Sequence, residues 1–152
     1  MPTSVRVFLD TSVLFAGIWS AEGGARMILK LGEARAVRIL VSPHVLIEAE
    51  SVLRRKAPDA IGLLALLLDR SGAETVPAPL PDFVRECQAL TGYPADALLL
   101  AAAQMTAADY FVTLDREHFL NNDALRRAMP FPLGTPGDVL AWYRGRITTV
   151  AE

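Results

Sequence analysis

Four carboxylates stand where surface solubility alone does not explain them: Asp10, Glu48, Asp96 and Asp115. Two like charges about 4 Å apart repel each other by about 4 kcal/mol at an effective dielectric constant near 20. A cluster of such acids therefore needs shared protons, arginine partners or a divalent cation. A set of oxygen ligands favours Mg²⁺ or Mn²⁺ over zinc, and such an ion can activate a water molecule for hydrolysis of a phosphodiester.

The first and last of these acids each follow a predicted strand. The apolar segment Val5–Leu9 ends directly at Asp10, and a second apolar segment, Tyr110–Thr113, is separated from Asp115 by Leu114 alone. In an open parallel sheet, ligands bind beyond the carboxyl ends of the strands. We therefore expect both carboxylates at the same edge of the sheet.

The other two acids lie on predicted helices. A further strand, Val37–Val41, is followed by a Ser-Pro pair at 42–43 that is typical of a helix start, and Glu48 is about one turn beyond it. Asp96 lies in the first turn of a helix predicted over Ala95–Ala107. If both helices cross back over the sheet, their first turns lie at the edge where the strands end.

Glu50 competes with Glu48 for the same role. Residues two apart on a helix point about 200° away from each other, so only one of the two can face the other acids. The apolar stripe of this helix favours Glu48 and consists of Val45, Ala49, Val52 and Leu53.

Strands that alternate with helices predict an α/β fold with three layers, in which a mainly parallel sheet of about five strands is flanked by helices. We expect the whole chain, 1–152, to form a single domain. The remaining predicted segments are a helix over Ala21–Leu31 that stops at Gly32, a fully buried helix over Leu63–Leu68, an edge strand within Thr75–Pro81, a helix over Asp82–Leu90, and a less regular final third with one helix over Pro136–Tyr143.

Composition narrows the class of protein. The 152 residues are 52% hydrophobic, which suffices for a single core, and the net charge of -2 counts against a purely nucleic-acid-binding module. No apolar stretch approaches the roughly 20 residues of a membrane-spanning helix, and the first residues lack a secretory signal, so we expect a cytoplasmic protein. The single cysteine, Cys87, is expected to be a buried hydrophobic residue rather than a nucleophile.

Taken in order, the acidic motifs resemble those of the PIN-domain family. The motifs are V-F-L-D-T-S-V-L, L-V-S-P-H-V-L-I-E-A-E-S-V-L-R-R, P-A-D-A-L-L-L-A-A-A and A-D-Y-F-V-T-L-D-R-E-H-F, and they span about Val7 to Phe119. The resemblance implies a parallel sheet with an acidic pocket that binds Mg²⁺ or Mn²⁺. It also implies an RNA substrate and an antitoxin partner, since many members are toxins of bacterial or archaeal toxin-antitoxin pairs.

The resemblance also assigns roles to residues. The four acids match the family's catalytic acids, and of these Asp10, Asp96 and Asp115 are the expected metal ligands. Further matches are Thr11 or Ser12, which resembles the hydroxyl that supports the pocket, and Thr113, which matches the threonine before the last acid. The chain departs from the family after Asp115, because Glu117 and His118 stand where many members have another acid or Asn; the last ligand and the number of metal ions stay open.

Several basic and aromatic residues lie near the acids in the sequence. Arg116 is the expected phosphate contact and His118 a second candidate, for a phosphate or for protonation of the leaving group; His44 is the weaker histidine candidate. Phe15 and Trp19 are expected to be core or dimer-interface residues rather than platforms for bases. Apolar helices leave room for a homodimer.

Three functional hypotheses follow from these observations. The first is a metal-dependent endoribonuclease. The second is a catalytically weak or inactive protein of the same fold that binds RNA or another protein. The third is a phosphatase or receiver domain, which requires an acid two residues beyond Asp10 or a downstream catalytic lysine; Ser12 and the scarcity of lysine disfavour it.

Overall fold

At the centre of the fold lies a sheet of five parallel strands in the order β3-β2-β1-β4-β5. The structure, a computed structural model, describes residues 4–151. The strands are β1 (Val5–Leu9), β2 (Val37–Val41), β3 (Glu74–Thr75), β4 (Tyr110–Val112) and β5 (Leu133–Gly134). The helices are α1 (Thr11–Trp19), α2 (Gly24–Glu33), α3 (Pro43–Lys56), α4 (Ile61–Arg70), α5 (Pro81–Gln88), α6 (Pro94–Met105), α7 (Asp123–Ala128) and α8 (Pro136–Ala151). This architecture confirms the predicted α/β class, and no helix within residues 4–151 has the length and apolar character needed to cross a bilayer.

The order of the strands creates a crevice beside β1. The chain builds β2 and β3 on one side of β1 and then returns to add β4 and β5 on the other side. Ligand sites in open parallel sheets lie where the order reverses in this way. The middle of the sheet is held by a stacked pair of buried aromatic rings, Phe8 of β1 and Phe111 of β4, whose centroids are 5.4 Å apart.

The predicted strands and helix start around β2 are confirmed. β1 and β2 have the predicted bounds; an edge strand is present as predicted, but it is the two-residue β3 and shares only Thr75 with the predicted range Thr75–Pro81. Ser42 caps α3 through its Oγ atom, which accepts a hydrogen bond from the backbone N–H of Val45 at 3.1 Å, with Pro43 in the first turn. These elements depend on local sequence signals, so they can be predicted without knowledge of the tertiary structure.

The predicted stop of α2 at Gly32 is wrong. The helix continues to Glu33, and the chain turns at Arg35, which has a φ of 62°. A Cβ atom on Gly32 would lie 2.7 Å from the carbonyl oxygen of Ser71 and 2.8 Å from Cγ1 of Ile39. This glycine therefore allows close approach between α2, β2 and the end of α4 rather than ending the helix.

The prediction that Leu63–Leu68 is fully buried is also wrong. Only Leu64 of α4 is buried, and Leu66 is 42% exposed. α4 contacts the helices α1, α2 and α3. α4 packs against these helices along one stripe of its own surface. Most of its apolar side chains lie beside that stripe and keep some exposure.

The final third is more regular than predicted. Asn122 caps α7 by accepting a hydrogen bond from the backbone N–H of Leu125 at 3.0 Å. The edge strand β5 follows, and α8 continues well beyond the predicted end at Tyr143. A two-residue strand and a six-residue helix are too short to show a periodic pattern in the sequence.

The lone cysteine lies in the core, as predicted. Cys87 is fully buried between α5 and α6, where its Sγ atom is 3.8 Å from Oε1 of Gln104. Burial raises the pKa of the Cys87 thiol to about 11, with a further contribution from the charge of Glu86. Few molecules carry the reactive thiolate at neutral pH.

We predict that Cys87 of the native protein reacts very slowly with a soluble thiol reagent at pH 8. With a pKa of about 11, roughly one thiol in a thousand is ionised at that pH. The rate should rise by orders of magnitude in denaturant, where the thiol is accessible and its pKa returns to about 8.5. Native labelling at the denatured rate would show that Cys87 is not in the core.

We predict opposite effects of Gly→Ala substitution in two helices. Gly32→Ala should lower the free energy of unfolding by about 1–3 kcal/mol, the usual cost of overpacking. Gly62→Ala in α4 is the matched control; its Cβ would meet no atom within 4 Å, so this variant should gain about 0.5–1 kcal/mol. Urea denaturation measures both, and equal stabilities would contradict the close approach at Gly32.

Candidate active site

The four predicted acids come together at one cavity of about 380 Å³. Asp10 directly follows β1, and Asp115 lies three residues beyond β4, so the cavity opens at the carboxyl edge of the sheet. The lining residues are Asp10, Thr11, Ser12, Phe15, His44, Glu48, Ala95, Asp96, Leu99, Asp115, His118 and Phe119. Four segments that are distant in sequence therefore share one site.

Asp10 is the most enclosed of the four acids. It is 8% exposed, and its carboxylate accepts three hydrogen bonds: from the backbone N–H of Thr11 at 2.7 Å, from the hydroxyl of Thr113 at 2.8 Å and from that of Ser12 at 3.2 Å. Burial raises the pKa of Asp10; the three hydrogen bonds oppose this and the charge of Asp96 adds to it. The carboxylate is thus fixed in place without a positively charged partner in the described residues.

Two hydroxyl groups connect the segment after β4 to the start of α1. Thr113 is fully buried, and its Oγ1 atom donates to Asp10 while accepting from the backbone N–H of Asp115 at 3.0 Å. Ser12 does the same with its Oγ atom, which donates to Asp10 and accepts from the backbone N–H of Leu114 at 3.1 Å. The position of the last acid is therefore tied to that of the first.

Asp96 and Asp115 share the imidazole of His118. The Nδ1 atom of His118 is 2.7 Å from Oδ2 of Asp96 and 3.6 Å from Oδ2 of Asp115. The other oxygen of Asp115, Oδ1, accepts a hydrogen bond from the backbone N–H of His118 at 3.0 Å and caps the π-helical turn Arg116–Leu120. One histidine thus contacts both acids by its side chain and one of them by its backbone.

The charges in the cavity act on one another. Burial raises the pKa of Asp96; the hydrogen bond and charge of His118 oppose this, while the charges of Asp115 and Glu48 reinforce it. For His118, burial favours the neutral ring, but the hydrogen bond and charge of Asp96, with Asp115 and Glu117, outweigh burial and raise the pKa. The site is a strongly negative environment whose acids are only partly compensated.

Glu48, not Glu50, faces the cavity. Its Oε2 atom is 3.4 Å from the hydroxyl of Thr11 and 3.5 Å from Nε2 of His44, and its side chain is 48% exposed. Glu50 instead forms an ion pair with Arg54 outside the cavity. Of the two glutamates that the sequence offers for this role, Glu48 is therefore the one at the cavity.

The expected phosphate contact does not reach the cavity. Arg116 is exposed and lies outside the lining residues, whereas His118 and the weaker candidate His44 both line it. Of the two aromatic residues expected in the core or a dimer interface, Phe15 is half-buried, packs against the core and also lines the cavity, whereas Trp19 is 61% exposed and so not in the core. Helical spacing gives the missed signal, since Phe15 is four residues after Thr11 and His44 four before Glu48.

The donor set fits a hydrated Mg²⁺ or Mn²⁺ ion rather than a tightly enclosed one. Within the described residues, no three His, Cys, Asp or Glu side chains lie close enough to form a ready-made metal site. Mg²⁺ keeps several of its waters and binds one or two carboxylates directly. Acids spread around a cavity of about 380 Å³ suit that mode. Burial is the main cause of the raised pKa values of Asp10 and Asp96, with a smaller contribution from neighbouring acids, and a bound cation would favour the charged carboxylates. Oδ2 of Asp96 already contacts His118, so such an ion would share the Asp96 carboxylate with the imidazole.

Solved structures with the same fold come from bacteria and an archaeon. PAE2754 from Pyrobaculum aerophilum is 18% identical, with a TM-score of 0.62 over 93% of this chain and 96% of its own. VapBC2 from Rickettsia felis, bound to a DNA fragment from their promoter, is 18% identical, with a TM-score of 0.64 over 85% of this chain and 97% of that chain. DNA-bound VapBC from Salmonella typhimurium is 13% identical, with a TM-score of 0.65 over 87% of this chain and 98% of that chain. At these identities the likeness shows the fold alone.

The sequence itself carries the family assignment. A search of curated protein sequences gives no significant match. The family model described as "PIN domain" matches residues 7–125, a range that contains all four acids and every strand except β5 and the first two residues of β1. The chain therefore belongs to the PIN-domain family.

Proposed function

We propose that this protein is a Mg²⁺- or Mn²⁺-dependent endoribonuclease, the toxin component of a toxin-antitoxin pair. One observation carries the proposal: four acids from separate segments line one cavity, and none of them forms an ion pair with an arginine among the described residues. An ion pair with arginine would have neutralised the site. Hydroxyl groups and backbone N–H groups hold these carboxylates in position but leave their charge available to a cation.

The residues around the cavity divide the work of hydrolysing an RNA phosphodiester. Asp10, Asp96 and Asp115 would hold the ion. When bound, Mg²⁺ or Mn²⁺ supplies positive charge against the phosphate oxygens and lowers the pKa of bound water. Glu48 is the most exposed of the four acids, and the hydroxyl of Thr11 orients its Oε2 atom. Its carboxylate can therefore accept a proton from a water that attacks the phosphorus.

The groups that contact the phosphate or the leaving oxygen lie on the turn after β4. His118 lines the cavity and has a raised pKa, so a larger fraction of its rings carries a proton than of a free imidazole. It can donate a hydrogen bond to the phosphate or a proton to the leaving oxygen as the P–O bond breaks. Arg116, exposed on the same turn, would contact a neighbouring phosphate outside the cavity.

An antitoxin protein and a second copy of the chain are the proposed partners, in the cytoplasm. Support comes from two similar structures that are VapBC assemblies. The chain also exposes large apolar side chains on three helices that contact one another: Trp19 on α1, Met27 on α2 and Leu66 on α4. Exposed apolar surface of this kind is typical of protein-protein contacts.

A second candidate function is a PIN-fold protein that binds RNA or a protein without cleaving RNA. Two observations favour it: no group of three ligands is ready-made among the described residues, and His118 contacts Asp96 directly. The two candidates differ in metal binding, because only the nuclease requires a divalent cation in the cavity.

We predict that Asp10→Asn abolishes Mg²⁺- or Mn²⁺-dependent RNA cleavage while the protein stays folded. The substitution removes a buried charge but keeps a side chain of the same shape. Asp69→Asn is the matched control, since Asp69 is exposed at the end of α4. Cleavage of a mixed single-stranded RNA and thermal unfolding should be measured on both; undiminished cleavage by the Asp10 variant would overturn the nuclease proposal.

We predict that Glu48→Gln and Glu50→Gln behave differently. Loss of the proton acceptor at Glu48 should lower kcat by about 10²- to 10⁴-fold, whereas Glu50→Gln breaks only a surface ion pair and should leave kcat unchanged. Calorimetric titration with Mn²⁺ gives a readout independent of activity. Absence of Mn²⁺ binding to the parent protein at millimolar concentration would favour the second candidate function.

A further inference from the structure

Tyr93 lies against His118 at the rim of the acidic cavity. The two rings are almost parallel, with centroids 3.7 Å apart and an angle of 8° between their planes. Tyr93 is nevertheless 44% exposed. Because His118 covers one face of the ring, the ring's share of this exposure lies on the opposite face and the edges.

The backbone of Tyr93 is fixed, and its ring is supported by the stack on His118. Its backbone N–H donates to the hydroxyl of Thr91 at 3.2 Å, and its carbonyl oxygen accepts from the backbone N–H of Ala97 at 3.1 Å. Pro94 follows and restricts Tyr93 to extended backbone angles, here a φ of -113° and a ψ of 110°. A ligand that stacks on this ring therefore orders little of the protein when it binds.

The place of the ring connects it to the candidate active site. His118 lines the cavity and contacts Asp96, and Tyr93 lies on the other side of His118. The stack thus extends the wall of the cavity outwards. Tyr93 is therefore one ring stack, 3.7 Å between centroids, from a residue that lines the cavity, within reach of a nucleotide whose phosphate lies there.

The charge of the protein favours a non-ionic contact with RNA here. The net charge is -2, and the cavity presents four acids, so the protein attracts a polyanion weakly at long range. Stacking of a base on an aromatic ring does not depend on charge and tolerates every base, since each has a π face. Among the exposed large hydrophobic side chains that the structure describes, Tyr93 is the one that stacks on a residue of the cavity.

We propose that the exposed face of Tyr93 is a nucleobase-binding subsite, on which a base next to the scissile phosphate of RNA stacks. This inference rests on the proposed function in taking RNA as the substrate. The stacking needs neither metal nor cleavage, and can therefore be tested separately from both.

The test measures binding of a fluorescent single-stranded RNA of ten nucleotides without divalent metal, in the Asp10→Asn background, by fluorescence anisotropy. Tyr93→Leu should weaken binding by about fivefold to about a hundredfold, the range for one base stacked on an aromatic side chain. Tyr93→Phe keeps the ring and should bind as the parent does. Trp19→Leu removes an aromatic residue that is 61% exposed but does not line the cavity, and should also leave binding unchanged.

A second series separates stacking from mere support of His118. Each nucleotide in turn is replaced by an abasic one, and every RNA is titrated against both the parent and Tyr93→Leu. If Tyr93 stacks on a base, Tyr93→Leu should not weaken binding of the RNA that lacks that base, but should still weaken binding of the other RNAs. Any of three results overturns the subsite: Tyr93→Leu weakens binding of every RNA to the same extent, it weakens binding of none, or RNA does not bind measurably.

The outcome is distinguishable from failure of the nuclease proposal. Suppose that Tyr93→Leu fails to weaken binding at one abasic position, and that the unmodified protein shows no metal-dependent cleavage. This result supports the subsite and rejects the nuclease. Cleavage without any such position rejects the subsite alone.

Discussion

The site depends on burial of one carboxylate, that of Asp10, at the junction of β1, β4 and α1. Burying a charged group is costly unless hydrogen bonds replace its water. Asp10 obtains them from the first backbone N–H of α1, from Ser12, and from Thr113 at the end of β4. The donors from Thr11 and Ser12 are local to Asp10, but Thr113 reaches it only because β1 and β4 are neighbouring strands. Pairing of these strands therefore completes the hydrogen bonding of the first acid, and Asp115 is fixed through the same threonine.

The kind of partner that each acid has decides what the cavity can bind. Arg38 neutralises Glu74 and Arg54 neutralises Glu50, both at exposed positions, so arginine is available to this chain for pairing acids. In the cavity the partners of the acids are hydroxyls, backbone N–H groups and two histidines. Hydroxyls and N–H groups orient a carboxylate without cancelling its charge, and a histidine cancels it only when protonated. The cavity thus keeps a negative potential that favours a cation.

The parts that sequence predicts are those that local signals determine. The strands β1 and β2, the cap at Ser42 and the acids at strand ends follow from patterns of a few neighbouring residues. The sequence does not predict Gly32, because its role depends on the distance from α2 to Ser71, nor the exposure of α4, which depends on the helices that surround it. Similarly, nothing local to Tyr93 indicates its stacking on a histidine 25 residues later in the chain. That contact exists because α6 and the turn after β4 approach each other at the cavity.

His118 links the two proposed binding sites physically. Its Nδ1 atom is bound to Asp96, and its ring supports that of Tyr93. An ion held by Asp96 would share that carboxylate with the imidazole, and would weaken one of the contacts that fix the ring beneath Tyr93. The backbone bond from His118 to Asp115 remains, so the histidine can turn without leaving the site. Coupling between two sites is reciprocal: if the ion alters the aromatic stack, a base bound to Tyr93 alters the affinity for the ion by the same factor. RNA bound by its base would then change the affinity of the acids for the ion as well.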